Sequence, residues 1–264
     1  IEKIDGIEIT KDMDYFPLLN KKVGKQVLVT IYNPDTKKRW DEIVKPISKG
    51  TQNELLYQRW IKHNAEVVDS LSNGTLGYVH IKSMGDASYR DVYADILGKY
   101  NKRKGIVIDT RFNGGGRLHE DIEILFSGEK YLEQVIRDSV ACVMPSRRYV
   151  KPSIMLMCEA NYSNAHGTPW VYKHKKIGKL VGMPVPGTMS SVTWETLQDT
   201  DLYFGLPVVG YRTQEGYYLE NFQLEPDVKV RNTPEKHSEG IDEQLEAAVR
   251  ELLKDVENYN YWGE

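Results

Sequence analysis

Three short stretches carry the side chains able to do covalent chemistry: "DTRFNGGGRLHE" (109–120), "ANYSNAHGTPW" (160–170) and "GYYLENFQLEPDVKV" (216–230). The first holds three consecutive glycines, Gly114, Gly115 and Gly116. Without a Cβ, the backbone reaches positive φ and lets a substrate come close. Amide groups at a helix start attract developing negative charge, and donors about 2.7–3.1 Å from a tetrahedral oxygen form an oxyanion hole. A plain strand-to-helix turn uses glycine too, and the Lys-Ser/Thr and GxGxxG spacings of phosphate loops are missing. The second stretch holds Ser163, ahead of a helical run. Such a serine is ordinarily an N-cap. As a nucleophile it needs a base, and the Asn164 N–H would be the second oxyanion donor. Of the six histidines, His166 is near in sequence, His80 and His119 lie on or beside sheet elements, and His63, His174 and His237 read as surface groups. Each reads first as a solvated or core imidazole. Glu220 falls in a polar gap between apolar runs, and spacing alone makes it a surface carboxylate.

These groups need elements to hold them. "KQVLVTIYNPDTKKRWDEIVKPI" has two β-branched runs around "NPDTK", a hairpin signature. Between Glu54 and Leu71 the period becomes helical, with Leu56, Trp60, Asn64, Val67 and Leu71 in step and "SNG" at its end. From Gly77, strands alternate with helices: "GYVHI", a helix bearing Tyr89, Val92, Tyr93, Ile96 and Tyr100, "GIVIDT", a helix with Leu118, Ile122 and Leu125, "SIMLMC", a helix from about Asn164, and "KKIGKLVG". This order implies βαβ crossovers and a mainly parallel sheet. A β-rich stretch from Asp199 to Val230 precedes a last helix striped by Ile241, Leu245, Val249, Leu252 and Val256. The glycine run and Ser163 each follow a strand and open a helix. Function gathers at the carboxyl ends of parallel strands, and neighbouring strands would bring the two loops together.

With 264 residues, a core burying roughly 75% of the unfolded chain's surface is within reach. The hydrophobic share of 40% and charged share of 28% are those of a globular protein. A net charge of −3 gives no electrostatic case for nucleic acid, and no apolar run approaches the length of a membrane helix. Cys142 and Cys158 show no zinc spacing, and no cofactor or metal is expected. The sequence starts at Ile1, already strand-like with a turn at Asp5-Gly6, and reads as cut from a longer parent or lacking a disordered start.

"GYVHIKSM", "GIVIDTRFNGGG", "ANYSNAHGTPW", "GKLVGMPVPGT" and "YLENFQLEPDVKV", in that order, resemble the catalytic core of tricorn-type serine peptidases, relatives of the C-terminal processing peptidases. The resemblance implies an α/β fold: a crotonase- or ClpP-like core of βαβ units over 75–264, a partial PDZ-like β unit over 1–48 and a connecting helix over 49–74. It implies that Ser163, followed six residues later by Pro169, is the nucleophile of a peptidase working through an acyl-enzyme. Gly116 and the Asn164 N–H fall on the oxyanion hole, supported by Gly114 and Gly115, and Glu220 on the acid that orients the catalytic histidine. Peptides or unfolded polypeptides would be the substrates, a homo-oligomer the assembly, and the cytoplasm the location, with the periplasm as alternative.

Two departures qualify the likeness. Thr188, in "PGTMS", stands where processing peptidases carry a base lysine, so a histidine base is preferred. That histidine belongs, in the tricorn family, to an upstream "SH" pair that no dipeptide before residue 48 supplies. These residues alone are expected to hydrolyse peptides poorly or not at all. Asn164 also replaces a family-typical aspartate, keeping its backbone role but losing any charge-based contact to substrate. Two other readings stay open: a non-catalytic peptide- or lipid-binding relative of the fold, and a crotonase-type acyl-CoA enzyme with no reactive serine.

Overall fold

In the computed structural model, which describes residues 1–259, the amino-terminal residues form a four-stranded antiparallel sheet of order β2-β1-β3-β4. Its strands are β1 (Lys3–Ile4), β2 (Ile7–Glu8), β3 (Val27–Tyr32) and β4 (Arg39–Val44). Asp5 and Gly6 both take positive φ, the requirement of a tight hairpin turn. The β-branched runs around "NPDTK" pair as β3 with β4, as their composition implied. Ile4, Val27 and Val29 are the buried residues of a small core. The chain divides after Lys62, within helix α1 (Lys49–Leu71). That helix buries Asn64 and Val68. Leu56 and Leu71, in step with Asn64 in the sequence, are exposed, because only the turn carrying Asn64 and Val68 meets a core.

From His63 onward the frame is a parallel five-stranded sheet of order β13-β10-β9-β6-β5. These strands are β5 (Leu76–His80), β6 (Gly105–Asp109), β9 (Ser153–Met157), β10 (Lys179–Gly182) and β13 (Val228–Lys229). Helix α2 (Asp86–Ala94), extended by a π turn over Asp95–Lys99, crosses from β5 to β6. Helix α3 (His119–Ser127) and the hairpin β7 (Leu132–Ile136) with β8 (Ser139–Met144) lead to β9. Helix α4 (Asn164–His174) leads to β10, and the hairpin β11 (Ser191–Thr196) with β12 (Tyr203–Val209) precedes β13. Helices α5 (Pro234–Ser238) and α6 (Glu243–Asn258) follow.

Strands β6 and β9 are buried along their whole length, which is why "GIVID" and "SIMLM" read as unbroken apolar runs. Side chains alternate across a strand. Ile106, Ile108, Met155 and Met157 thus join Val92, Ile122, Leu125, Ala165 and Tyr172 in one core. Helix α6 packs across β6, β9 and β10, burying Leu245, Val249, Leu252 and Val256 of the stripe read from the sequence, whereas Ile241 precedes the helix and is only partly buried. Among the described residues no helix is long and apolar enough to cross a membrane.

A charged network ties α6 to the end of β6. Asp109 is 0% and Arg111 1% exposed. The guanidinium grips both Asp109 oxygens, with Nη2 at 2.7 Å from Oδ2 and Nε at 3.0 Å from Oδ1. Its Nη1 reaches Asp242 at 2.8 Å, the residue that caps α6 by accepting the Leu245 N–H. The Tyr78 hydroxyl donates to Asp109 at 2.8 Å and accepts from Asn64. Burial alone would raise the Asp109 pKa, but the adjacent guanidinium outweighs it and holds the carboxyl below the ordinary value.

Candidate active site

The turn after β9 is built around Asn161. Its Oδ1 accepts from the Cys158 N–H, and its Nδ2 donates to Thr110 Oγ1 at 3.0 Å, bridging to the end of β6. The same Nδ2 also donates to the Ala165 carbonyl at 3.2 Å. That carbonyl would ordinarily pair with the N–H four residues on, which Pro169 lacks, so the asparagine repairs the helix that the proline interrupts. Ser163 stands at the N-cap of α4 with φ 54° and ψ −123°. A non-glycine residue held there stores on the order of 1–3 kcal/mol. Its hydroxyl caps none of the helix amides. The N-cap explanation of this serine therefore fails, and a strained, uncapped hydroxyl stands at the junction of a strand and a helix.

The glycine run folds against that junction. Strands β6 and β9 are direct neighbours in register, with Asp109 opposite Leu156, so their following loops lie side by side. The Tyr162 N–H donates to the Asn113 carbonyl at 3.0 Å. A Cβ on Gly115 would come within 2.7 Å of the Ser163 Cβ and 3.1 Å of the Asn164 nitrogen. Gly115 has φ +98° and gives its own N–H to Asn113 Oδ1 at 2.8 Å. Gly116, at φ +138°, lies so close to the segment after β5 that a Cβ would overlap the Met84 carbonyl oxygen. Met84 accepts from Arg117 at 2.6 Å and donates to the Gly115 carbonyl at 2.9 Å, pinning the run on both sides. Among the described residues, the amides of Gly116 and Asn164 donate to no protein acceptor. Gly114 faces open space, and nothing within 4 Å requires a glycine there.

Asn164 does more than offer its backbone. Its Oδ1 accepts the N–H groups of Leu118 and His119 at 2.9 and 3.1 Å, capping the start of α3. Its Nδ2 must then be the donor to His119 Nδ1, 2.7 Å away. Burial lowers the His119 pKa, favouring the neutral ring that can accept this bond. The side chain is thus turned into the protein, fully employed between the two loops.

Two consecutive residues join the serine to the third candidate stretch. Thr188 Oγ1 accepts the Ser163 N–H at 3.3 Å, which sets this threonine beside the serine. Next to it, the Met189 N–H donates to Glu220 Oε2 at 2.8 Å. Glu220 is half-buried, not the surface carboxylate that spacing suggested, because residues 185 and 224 pair and fold its segment back over 187–189. Ser163, the glycine run and Glu220 therefore converge. The histidines do not join them equally. His80 lies at the Arg111 carbonyl, His174 stacks on Trp170, and His166 is enclosed in the core. Asn113, Asn161 and Met189 escaped the sequence reading. The first two had a signal, an asparagine just ahead of each chemically marked residue, of the kind that builds turns through its own side chain.

A family model described as Peptidase family S41 matches residues 75–230, more than half of the chain, and spans all three stretches. The chain is 27% identical to the tricorn protease of Thermoplasma volcanium, over 97% of its own length and 25% of the relative's. It is 23% identical to that of Thermoplasma acidophilum, over 98% and 24%. It thus spans about a quarter of the length of the curated relatives it matches. Among solved structures, a crystal structure of the tricorn protease superposes with a TM-score of 0.82 at 22% identity, covering 97% of this chain and 25% of that one. The fold is shared with that enzyme, and on the match across its three converging loops the chain belongs to peptidase family S41.

Proposed function

We propose that the part of the chain from His63 onward is the catalytic core of a serine peptidase that cleaves peptide bonds through an acyl-enzyme on Ser163. The observation carrying this reading is the Ser163 turn: a strained backbone presenting a hydroxyl that caps nothing, packed against a glycine bend. Such a turn between strand and helix is how a nucleophile is lifted clear of its own backbone. Ser163 Oγ attacks the peptide carbonyl carbon while a base takes its proton, and the C=O electron pair moves onto oxygen. The N–H groups of Gly116 and Asn164 receive that oxyanion. Collapse breaks the C–N bond, the base returns its proton to the leaving amine, and water then hydrolyses the ester.

The base is proposed to be a histidine from outside these residues, oriented by Glu220. His166 is sealed away, His119 is engaged by Asn164, and Thr188 cannot serve as a base at neutral pH. Peptides or unfolded polypeptides as substrates, a homo-oligomeric assembly, and a partial PDZ-like role for residues 1–48 belong to the same proposal. The antiparallel four-stranded sheet of those residues supports the last of these.

A fluorophosphonate probe applied to the full-length protein should attach to Ser163, as read by mass spectrometry of proteolytic fragments. Absence of the adduct at saturating probe rejects the peptidase reading and favours a binding relative or an acyl-CoA enzyme. A second outcome concerns the glycine bend. Gly116→Ala, which drives a Cβ into the Met84 carbonyl, should lower kcat by about 10²- to 10³-fold, the cost of one misplaced oxyanion donor. Steady-state kinetics with a peptide substrate checks this.

A further inference from the structure

His166 has no part in the chemistry above, yet it is the anomaly of the site. It lies three residues beyond Ser163 on α4 and is 0% exposed, and among the described residues neither Nδ1 nor Nε2 has a hydrogen-bond partner. A neutral imidazole always carries one N–H, and buried donors are almost always paired. Burial lowers its pKa, with the negative charge of Glu220 pulling partly the other way. The ring is thus neutral at neutral pH, and Glu220 is the charged group whose field reaches it.

The surroundings show what the ring is for. Glu220 spends Oε2 on the Met189 amide, while Oε1 takes no bond from any described residue. Met189 reaches the same helix: a Cβ on Gly167, the residue after His166, would lie 2.9 Å from the Met189 Sδ. The residue that anchors the acid therefore also packs on α4, at the residue that follows His166. Full enclosure keeps the ring from a leaving amine, which excludes it as the base.

We propose that His166 is the positioning residue for Glu220: its ring N–H donates to Oε1, completing with the Met189 amide a two-point clamp on the carboxylate. The clamp fixes the direction in which Glu220 meets the incoming base histidine, so this inference rests on the reading of Glu220 as the orienting acid. The bond is not formed in the structure, where neither ring nitrogen has a partner among the described residues, and it requires the carboxylate to turn about the oxygen that Met189 holds.

Two measurements test it. Nitrogen-15 NMR of the histidine rings, on the chain itself, should show His166 neutral at neutral pH, with one protonated nitrogen whose N–H resonance moves when Glu220→Gln removes the charge. An unchanged His166 spectrum in Glu220→Gln overturns the proposal, since a water or carbonyl would then satisfy the ring. In the full-length protein, His166→Leu should lower kcat about 10- to 100-fold with KM unchanged, the scale of a small misplacement. His166→Gln, which keeps a donor, should recover most of that loss. Equal impairment by both variants, or an effect on KM alone, also overturns it. The NMR arm needs no turnover, so failure of Ser163 labelling and failure of the clamp are separate results.

Discussion

Replacing Ser163 by alanine should lower kcat for peptide hydrolysis by the full-length protein by about 10⁴- to 10⁶-fold, the loss seen when a catalytic nucleophile is removed. KM should change little, because the hydroxyl serves bond making and not substrate docking. The fold should hardly notice. Alanine has the same Cβ at the same positive φ, and the hydroxyl that disappears caps no helix amide. An ordinary N-cap serine behaves in the opposite way, losing about 1 kcal/mol of stability on conversion to alanine and no turnover. Paired measurements of kcat and urea unfolding thus distinguish the two roles within one variant. Ser163→Gly adds a check on the strained backbone. It should be as inactive as the alanine variant but more stable, since glycine accepts φ 54° without penalty.

The largest expected loss of stability lies away from the serine. Arg111→Met should destabilise the protein by about 3–5 kcal/mol, the cost of leaving one partner of a buried pair uncompensated. Asp109, at 0% exposure, would keep a charge facing neutral donors, the Tyr78 hydroxyl and the backbone N–H of residue 111, and the cap of α6 would lose its cation. Removing both charges in Asp109→Leu/Arg111→Met should recover most of the loss, because well-packed apolar groups replace buried pairs at little cost. Urea denaturation of the single and double variants checks this. The sign with pH follows from the lowered Asp109 pKa. Its stabilising contribution is fully present above the ordinary carboxylate range and is lost only as the pH falls through the depressed folded value. Arg111→Met should therefore remove stability across neutral pH.

Much of this architecture was legible because local and global signals agreed. The unbroken runs "GIVID" and "SIMLM" are too short for buried helices and flanked by turn residues, and they are the central strands. Adjacency of the two loops followed from strand order, since successive parallel strands tend to neighbour each other. The nearby geometry was not legible. Whether Ser163 caps a helix depends on its own φ and ψ, which one residue type does not dictate. Glu220 looked solvent-facing because its burial comes from a segment folding back over 187–189, a long-range contact without periodicity. Asn164 read as a damaged substrate contact, when its amide instead turns inward to cap α3. On α1, helical spacing offered several apolar residues, and which of them meets a core is set by packing that spacing cannot show.

That inward amide has an evolutionary corollary. Asn164 gives His119 a proton donor and takes two backbone donors in return, so positions 164 and 119 form one exchangeable unit. An aspartate at 164 would still accept both amides but would set its second oxygen against the lone pair of a neutral imidazole. It suits a cation or a protonated ring at 119 instead. Relatives with an acid after the nucleophile should pair it with a different partner across the two loops, so that the two positions would be inherited as a couple.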